Sequence, residues 1–330
     1  MRWFELCGLS AFLQRSCFSG ECGVTERLIL SNESLSVEVL PEFGAKVSSM
    51  RLLPEGEELL QQPLRPYAPR TRTMAFEEGD ASGIDECIPT VSACDVEFGG
   101  NCLPVPDHGD FWRIPFASRR EAEELVLEAT GFTLPLRFEK RFALEGTRLR
   151  IDYRLENVGR QSLPFLWSAH PGFAVEPGDR ILLPDSVKEI NVWHSGGGRL
   201  GAPGQVHSWP HTHDAADQSV DLSLAGGPED GVGDKLFAVA PREGWVALER
   251  RRLRKRIEVR FDPAWASFLG LWLAFGGWPA GQAQRQHCVA LEPCTAPADS
   301  LATALERGLA RILEVEAWFE WKIEIHVIPA

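Results

Sequence analysis

The 330-residue sequence predicts an all-β protein, a large antiparallel β-sandwich or barrel with few short helices. Three observations lead there. Apolar and polar residues alternate over several separate segments, continuous apolar runs have the length of strands, and helical periodicity is almost absent. Glycine, proline and asparagine punctuate these segments throughout.

Residues 1 to 24 show no clear period and hold Cys7, Cys17 and Cys22. They read as an N-terminal extension, flexible or strand-adding, or as the product of a mis-set start. A single domain is expected over 25–330. Leu35, Val37 and Val39 alternate with polar partners and stop at Pro41. Leu149, Ile151, Tyr153 and Leu155 alternate with Arg148, Arg150, Asp152, Arg154 and Glu156. Phe319, Trp321, Ile323, Ile325 and Val327 do the same near the C-terminus. Successive strand side chains point to opposite faces, so each pattern describes a half-buried antiparallel strand. Phe268 to Phe275 and Cys288 to Leu291 are apolar throughout and suit strands covered on both faces. One helix is expected, Asp299 to Arg307: Asp299 or Ser300 can cap it, Leu301 and Leu305 lie one turn apart, and Gly308 stops it. Gly196 to Asp217, rich in Gly, His and Pro, reads as one long loop. No domain linker and no clean repeat is visible.

Charged residues make up 25% and hydrophobic residues 44%, which excludes disordered and collagen-like classes. A formal net charge of -13 disfavours binding along a polyanion, so no nucleic-acid partner is expected. The basic run Arg250, Arg251, Arg252, Arg254, Lys255 and Arg256 leads into Ile257, Val259 and Phe261 at a period of two. It therefore reads as the solvated start of an exposed strand. The remaining cysteines are Cys87, Cys94, Cys102, Cys288 and Cys294; no C-x-x-C spacing supports a zinc ribbon, and reduced thiols are expected even at Cys94 and Cys102. The apolar stretch Leu6 to Leu13 follows Glu5, where an export signal wants positive charge, and no run reaches the roughly 18 apolar residues of a membrane span. The cytoplasm, without membrane contact, is the expected location.

Three segments place polar residues at abrupt strand ends. In Pro106-Asp107-His108-Gly109-Asp110-Phe111-Trp112-Arg113, the glycine lets the backbone turn beside an imidazole. In Pro164-Phe165-Leu166-Trp167-Ser168-Ala169-His170-Pro171-Gly172-Phe173, an apolar strand reaches His170, and Pro171 closes the ladder behind it. In Val289-Ala290-Leu291-Glu292-Pro293-Cys294-Thr295, a carboxylate terminates another apolar strand. Taken singly, each reads as a satisfied structural histidine or a solvated cap.

In this order, with Leu40-Pro41-Glu42-Phe43-Gly44-Ala45-Lys46-Val47 and Gly83-Ile84-Asp85-Glu86-Cys87-Ile88-Pro89-Thr90 before them, the segments resemble the galactose mutarotase (aldose 1-epimerase) family. Gly233-Asp234-Lys235-Leu236-Phe237 and Asp299-Ser300-Leu301 complete the series, which covers about residue 25 to the C-terminus. The resemblance implies a large antiparallel β-supersandwich and a cofactor-free isomerase that interconverts the α and β anomers of a monosaccharide. It implies that His170 is the general acid at the ring oxygen and Glu292 the base at the C1 hydroxyl. His108 would hold the sugar near its ring oxygen, and Asp234 would accept hydrogen bonds from its hydroxyls. Arg72 is the nearest counterpart of the family's early sugar-binding arginine, with Arg70 almost as good. Arg113 stands for the arginine after the His-Gly pair, set later than in the family's pattern. Asp85 and Glu86 are further hydroxyl acceptors, and Trp112 is preferred to Trp167 and Trp193 as an aromatic platform.

The reaction carries no electrons or groups away, so neither metal nor redox cofactor is required. Competing readings are a hexose-6-phosphate epimerase, which needs an Arg/Lys cluster, and a glycosidase using Glu86 with Glu292. A non-catalytic carbohydrate-binding protein is another, and a zinc site at His207, His211 and His213 is a fourth.

Overall fold

The computed structural model describes residues 12–20 and 23–330. Two antiparallel sheets dominate it, one of twelve strands and one of eight. The middle of the larger sheet runs, in spatial order, through Ile84–Cys87, Ser168–Ala174, His287–Cys294, Phe268–Phe275 and Val232–Val239. The smaller sheet includes Leu136–Glu145, Arg148–Asn157 and Trp318–Pro329 side by side. Both sheets contribute to one apolar core, in which Val39, Phe173 and Leu271 of the larger meet Phe138, Ile151 and Ile323 of the smaller. This is the large antiparallel sandwich that the alternating segments predict.

The alternation translates directly into burial. Leu149, Ile151, Tyr153 and Leu155 are buried while the arginines between them are not. Ile323, Ile325 and Val327 repeat that pattern in the paired strand. Each fully buried aliphatic side chain contributes about 1.5–3 kcal/mol relative to an exposed one. The helix spans Leu301–Glu306; Ser300, not Asp299, caps it, its Oγ accepting from the Thr303 amide. Gly308 follows at φ +67°, the left-handed conformation that ends the helix.

Two local expectations are revised, and the competing zinc reading is tested. The presumed loop 196–217 contains the 3-10 turn Gly196–Gly198 and the short strands Val206–Ser208 and His211–His213. His207 organises it: the ring is buried, with one nitrogen 2.8 Å from Thr212 Oγ1 and the other 2.8 Å from the Leu200 carbonyl. Both of its nitrogens are thus occupied by protein, and among the described residues no three metal-ligating side chains converge. The basic run begins inside the strand Trp245–Arg250, turns, and continues in Lys255–Phe261. Arg250 is buried with its Nε 2.7 Å from Asp179, and Arg252 pairs with Glu176, so opposing carboxylates take up much of this charge.

Phe12–Gly20 pairs antiparallel with Gly23–Ser31 at the edge of the larger sheet. Cys7 and Cys22 lie outside the described residues. Cys87, Cys94, Cys102, Cys288 and Cys294 are free thiols. Among the described residues no helix is long and apolar enough to cross a membrane.

Candidate active site

The site forms on the face of the larger sheet that turns away from the smaller one. The pairs Ser168↔Cys294 and Gly172↔Ala290 put His170 and Glu292 at the same level of adjacent strands. His170 is opposite Asp85 on its other side. Strand alternation then sends Glu86 to the opposite, core-facing side. Beyond Glu292 the next strand offers only Gly270, its register partner. A Cβ at Gly270 would lie 3.0 Å from Glu292 Oε2, so the glycine leaves a lane across the sheet. Lys235 crosses that lane, and its ammonium donates to Glu292 Oε2.

Neither residue ends its strand as the sequence suggests, since Ser168–Ala174 continues past Pro171 and His287–Cys294 past Glu292; the turn after Asn101–Val105 supplies His108. Its φ is +58° and that of Gly109 is +67°. A Cβ at Gly109 would sit 1.8 Å from the Ile88 carbonyl oxygen, so the turn admits only glycine. The His108 ring stacks on Phe76 with centroids 3.9 Å apart, and its Nδ1 is 3.0 Å from Asp107 Oδ1. Burial pushes Asp107 up, but bonds from His108 and the Phe76 amide outweigh it and hold the carboxyl below its ordinary value.

These elements enclose a cleft of roughly 220 Å³, walled by His108, His170, Lys235 and Asp299 and by the aromatic rings of Phe76, Trp272 and Trp278. Val91, His194 and Gln286 complete it. Glu292 lies beneath, fully buried. Its Oε2 also has Ser168 Oγ at 3.4 Å, whereas Oε1 accepts no hydrogen bond and stands 3.6 Å from His170 Nε2. Lys235 Nζ is 3.9 Å from Asp299 Oδ1, which is likewise buried and without a hydrogen-bond partner.

Burial lowers His170 to about 4; the Glu292 charge opposes this, while Lys235 and His108 add to it. Burial also disfavours the charge on Lys235, but Glu292 and Asp299 overcome it and raise the group above its ordinary value. Asp299 is raised, first by burial, with Lys235 offsetting part and Glu292 adding to it.

Of the sequence candidates, His170, Glu292 and His108 come together. The others do not reach the cleft lining. Asp234 is fully buried, and its carboxylate accepts from Ser195 Oγ at 2.7 Å and Arg199 Nε at 3.0 Å. It points to the other face of its strand, and the period of two delivers Lys235 instead. Asp85 Oδ2 is 2.7 Å from Lys46 Nζ. Glu86 is bound by Tyr153 and Lys140. Trp112 is buried behind Phe76, its Nε1 donating to the Asp107 carbonyl at 3.1 Å. Trp167 packs into the core against Tyr153 and Trp321, and Trp193 sits edge-on to Phe237. Arg72 lies over the Phe132 ring in a separate groove. Arg113 is buried and donates to the Gly109 and Met74 carbonyls. Arg70 is held by Asp80 and the Trp112 carbonyl.

Lys235 and Asp299 were open to detection. A lysine within Val232–Val239 is an unexplained charge in a mostly buried strand, and Asp299 stands both as a possible helix cap and in the motif that closes the family series, with no site role attached to either residue. Phe76, Trp272, Trp278 and Gln286 come from distant segments, and no local signal marks them.

No family model matches the sequence, and no curated protein matches it. Solved structures do. A candidate aldose 1-epimerase from Escherichia coli K12 superimposes with TM-score 0.65 at 16% identity, covering 97% of this chain and 100% of the other. A galactose mutarotase related enzyme from Lactobacillus acidophilus gives 0.65 at 17% identity, over 92% and 97%. A candidate aldose 1-epimerase from Klebsiella pneumoniae gives 0.70 at 12% identity, over 97% and 88%. The chain has the galactose mutarotase-like fold.

Proposed function

We propose that the protein is an aldose 1-epimerase that opens and recloses the ring of a free aldose. The observation that carries this reading is Glu292 Oε1, a buried carboxylate oxygen without a hydrogen-bond partner, 3.6 Å from His170 Nε2 at the floor of a cleft. An unmet acceptor in a buried site is costly unless a ligand completes it. The hydroxyl and ring oxygens of an anomeric centre share one carbon. A base and an acid that serve them together must therefore be near neighbours, as these two are.

The steps balance without a further reactant. Glu292 Oε1 takes the C1 hydroxyl proton, the C1–O5 bond breaks, and O5 takes a proton from His170 Nε2. The product is an open aldehyde with Glu292 protonated and His170 neutral. Rotation about C1–C2 presents the other face. His170 then recovers the proton from O5 as that oxygen attacks C1, and Glu292 returns its proton to O1. His108 and Asp299 are placed to read sugar hydroxyls, and Phe76 and Trp278 to cover an apolar sugar face.

A free sugar is favoured over a sugar phosphate. Among the described residues the only Lys or Arg lining the cleft is Lys235, already bound to Glu292, whereas a phosphate dianion calls for a cationic cluster. A glycosidase pair of Glu86 with Glu292 is disfavoured because Glu86 is enclosed between Tyr153 and Lys140.

The test is the optical rotation of fresh α-D-glucose and α-D-galactose. The wild type should accelerate mutarotation, and His170→Ala and Glu292→Gln should each lose about 10²- to 10⁴-fold. Acceleration that survives both changes discards the assignment. Sugar binding by calorimetry without any acceleration would make the protein a carbohydrate-binding one.

A further inference from the structure

We propose that Lys235 is a positioning residue for proton transfer, holding Glu292 so that a single oxygen faces the sugar. This rests on the epimerase reading and adds a third member to its acid and base.

Four observations support it. Lys235 is the buried cation of the cleft wall, and its ammonium donates to Glu292 Oε2 alone of the two carboxylate oxygens. Ser168 Oγ approaches that same oxygen. Oε1, nearer His170, is left without a partner. Gly270 keeps the lane between the two residues clear, since any Cβ there would meet Glu292 at 3.0 to 3.2 Å and the Phe237 ring at 3.3 Å. A carboxylate pinned at one oxygen cannot rotate its free oxygen away from the substrate. Fixed geometry of this kind is what a proton transfer over a short distance requires.

The groups facing Glu292 leave Lys235 as the permanent cation there. His170 approaches from Ser168–Ala174, Asp299 from the segment after His287–Cys294, and the thiols of Cys87, Cys288 and Cys294 from three neighbouring positions. Burial pushes those thiols up, Cys288 to about 12, so they are uncharged. Asp299 brings a like charge that Lys235 also approaches.

The test compares wild type, Lys235→Met and Lys235→Arg by polarimetry across pH, with thermal melts to verify folding. Lys235→Met should lose about 10²-fold or more in kcat with a much smaller change in KM. The fall in its rate with rising pH should set in at higher pH than in wild type, because Lys235 no longer adds to the lowering of His170. Lys235→Arg should recover part of kcat and return the profile toward that of wild type. A folded Lys235→Met with wild-type kcat and profile overturns the proposal while leaving the epimerase reading in place. A wild type inactive on every aldose overturns both.

If Lys235→Met does not fold, Lys235→Met/Glu292→Gln decides, since it removes both charges. Activity within about twofold of Glu292→Gln alone supports action through Glu292, by the logic of a double-mutant cycle. A further loss of tenfold or more shows that Lys235 acts independently and overturns it.

Discussion

Among the described residues two buried lysine–glutamate pairs occur, and they differ in how completely the carboxylate is enclosed. In the first, Glu86 of the larger sheet meets Lys140 of the smaller across the core. Both carboxylate oxygens are engaged, one by Lys140 and the other by the Tyr153 hydroxyl at 2.8 Å, and Lys140 also donates to the Gly44 carbonyl at 2.8 Å. Burial raises Glu86 even so, with Lys140 and Tyr153 opposing it. In the second, Lys235 and Glu292 belong to the same sheet, and one carboxylate oxygen is left open beside His170 at a cleft. Composition does not distinguish these pairs. What differs is whether each carboxylate oxygen has a close ion-pair or hydroxyl partner, and on the proposed function the pair with an open oxygen is the one that takes a substrate proton.

The comparison can be broken at either pair. The largest effect expected in the core is from Lys140→Met, which strands Glu86 between the sheets. Removing one partner of a buried pair costs about 3–5 kcal/mol, read as a lower urea midpoint. On the proposed function, the surviving folded protein should keep the mutarotation rate of the wild type. A variant as stable as wild type, or folded but inactive, would erase the distinction between the pairs.

The pH profile is expected to be the next largest effect. His170 is lowered to about 4, so at neutral pH its acid form is a minor species. The rate should therefore increase as pH is lowered from about 8 to about 5, approaching tenfold per unit while His170 alone limits it. A rate that is flat or rising with pH across this range would remove His170 from the acid role.

The smallest effects separate the cleft from its surroundings. Trp278→Ala, which takes away an aromatic wall, should raise KM by about tenfold, in keeping with the roughly 1.4 kcal/mol such a change represents. Arg72→Ala should leave kcat and KM within about twofold, because Arg72 lies over Phe132 in another groove. A large effect of Arg72→Ala would mean that the substrate extends beyond the cleft described here.

The sandwich was legible in the sequence because its signal is local. Alternation at Leu149 to Leu155 and at Phe319 to Val327 marks strands wherever they later pair. His108, His170 and Glu292 were picked out by the ordered family resemblance rather than by local signal, since singly each reads as structural; the strand-end reading fails for two of them, because Ser168–Ala174 runs on through Pro171 and His287–Cys294 through Pro293. Trp112 shows where local reading fails. Proximity to His108 in sequence suggested a platform, yet the turn at Gly109 sends the indole behind Phe76.

The sequence by itself determined that this chain is a large antiparallel β protein, and its ordered resemblance picked out His170 and Glu292 as acid and base candidates. Tertiary structure alone decided which face each charge takes. Asp234 and Lys235 are adjacent in sequence, yet the first is sealed by Arg199 while the second reaches Glu292 across Gly270. The physical reason is that strand period and turn chemistry are properties of neighbouring residues. Whether a buried oxygen keeps a free lone pair depends on every strand packed around it.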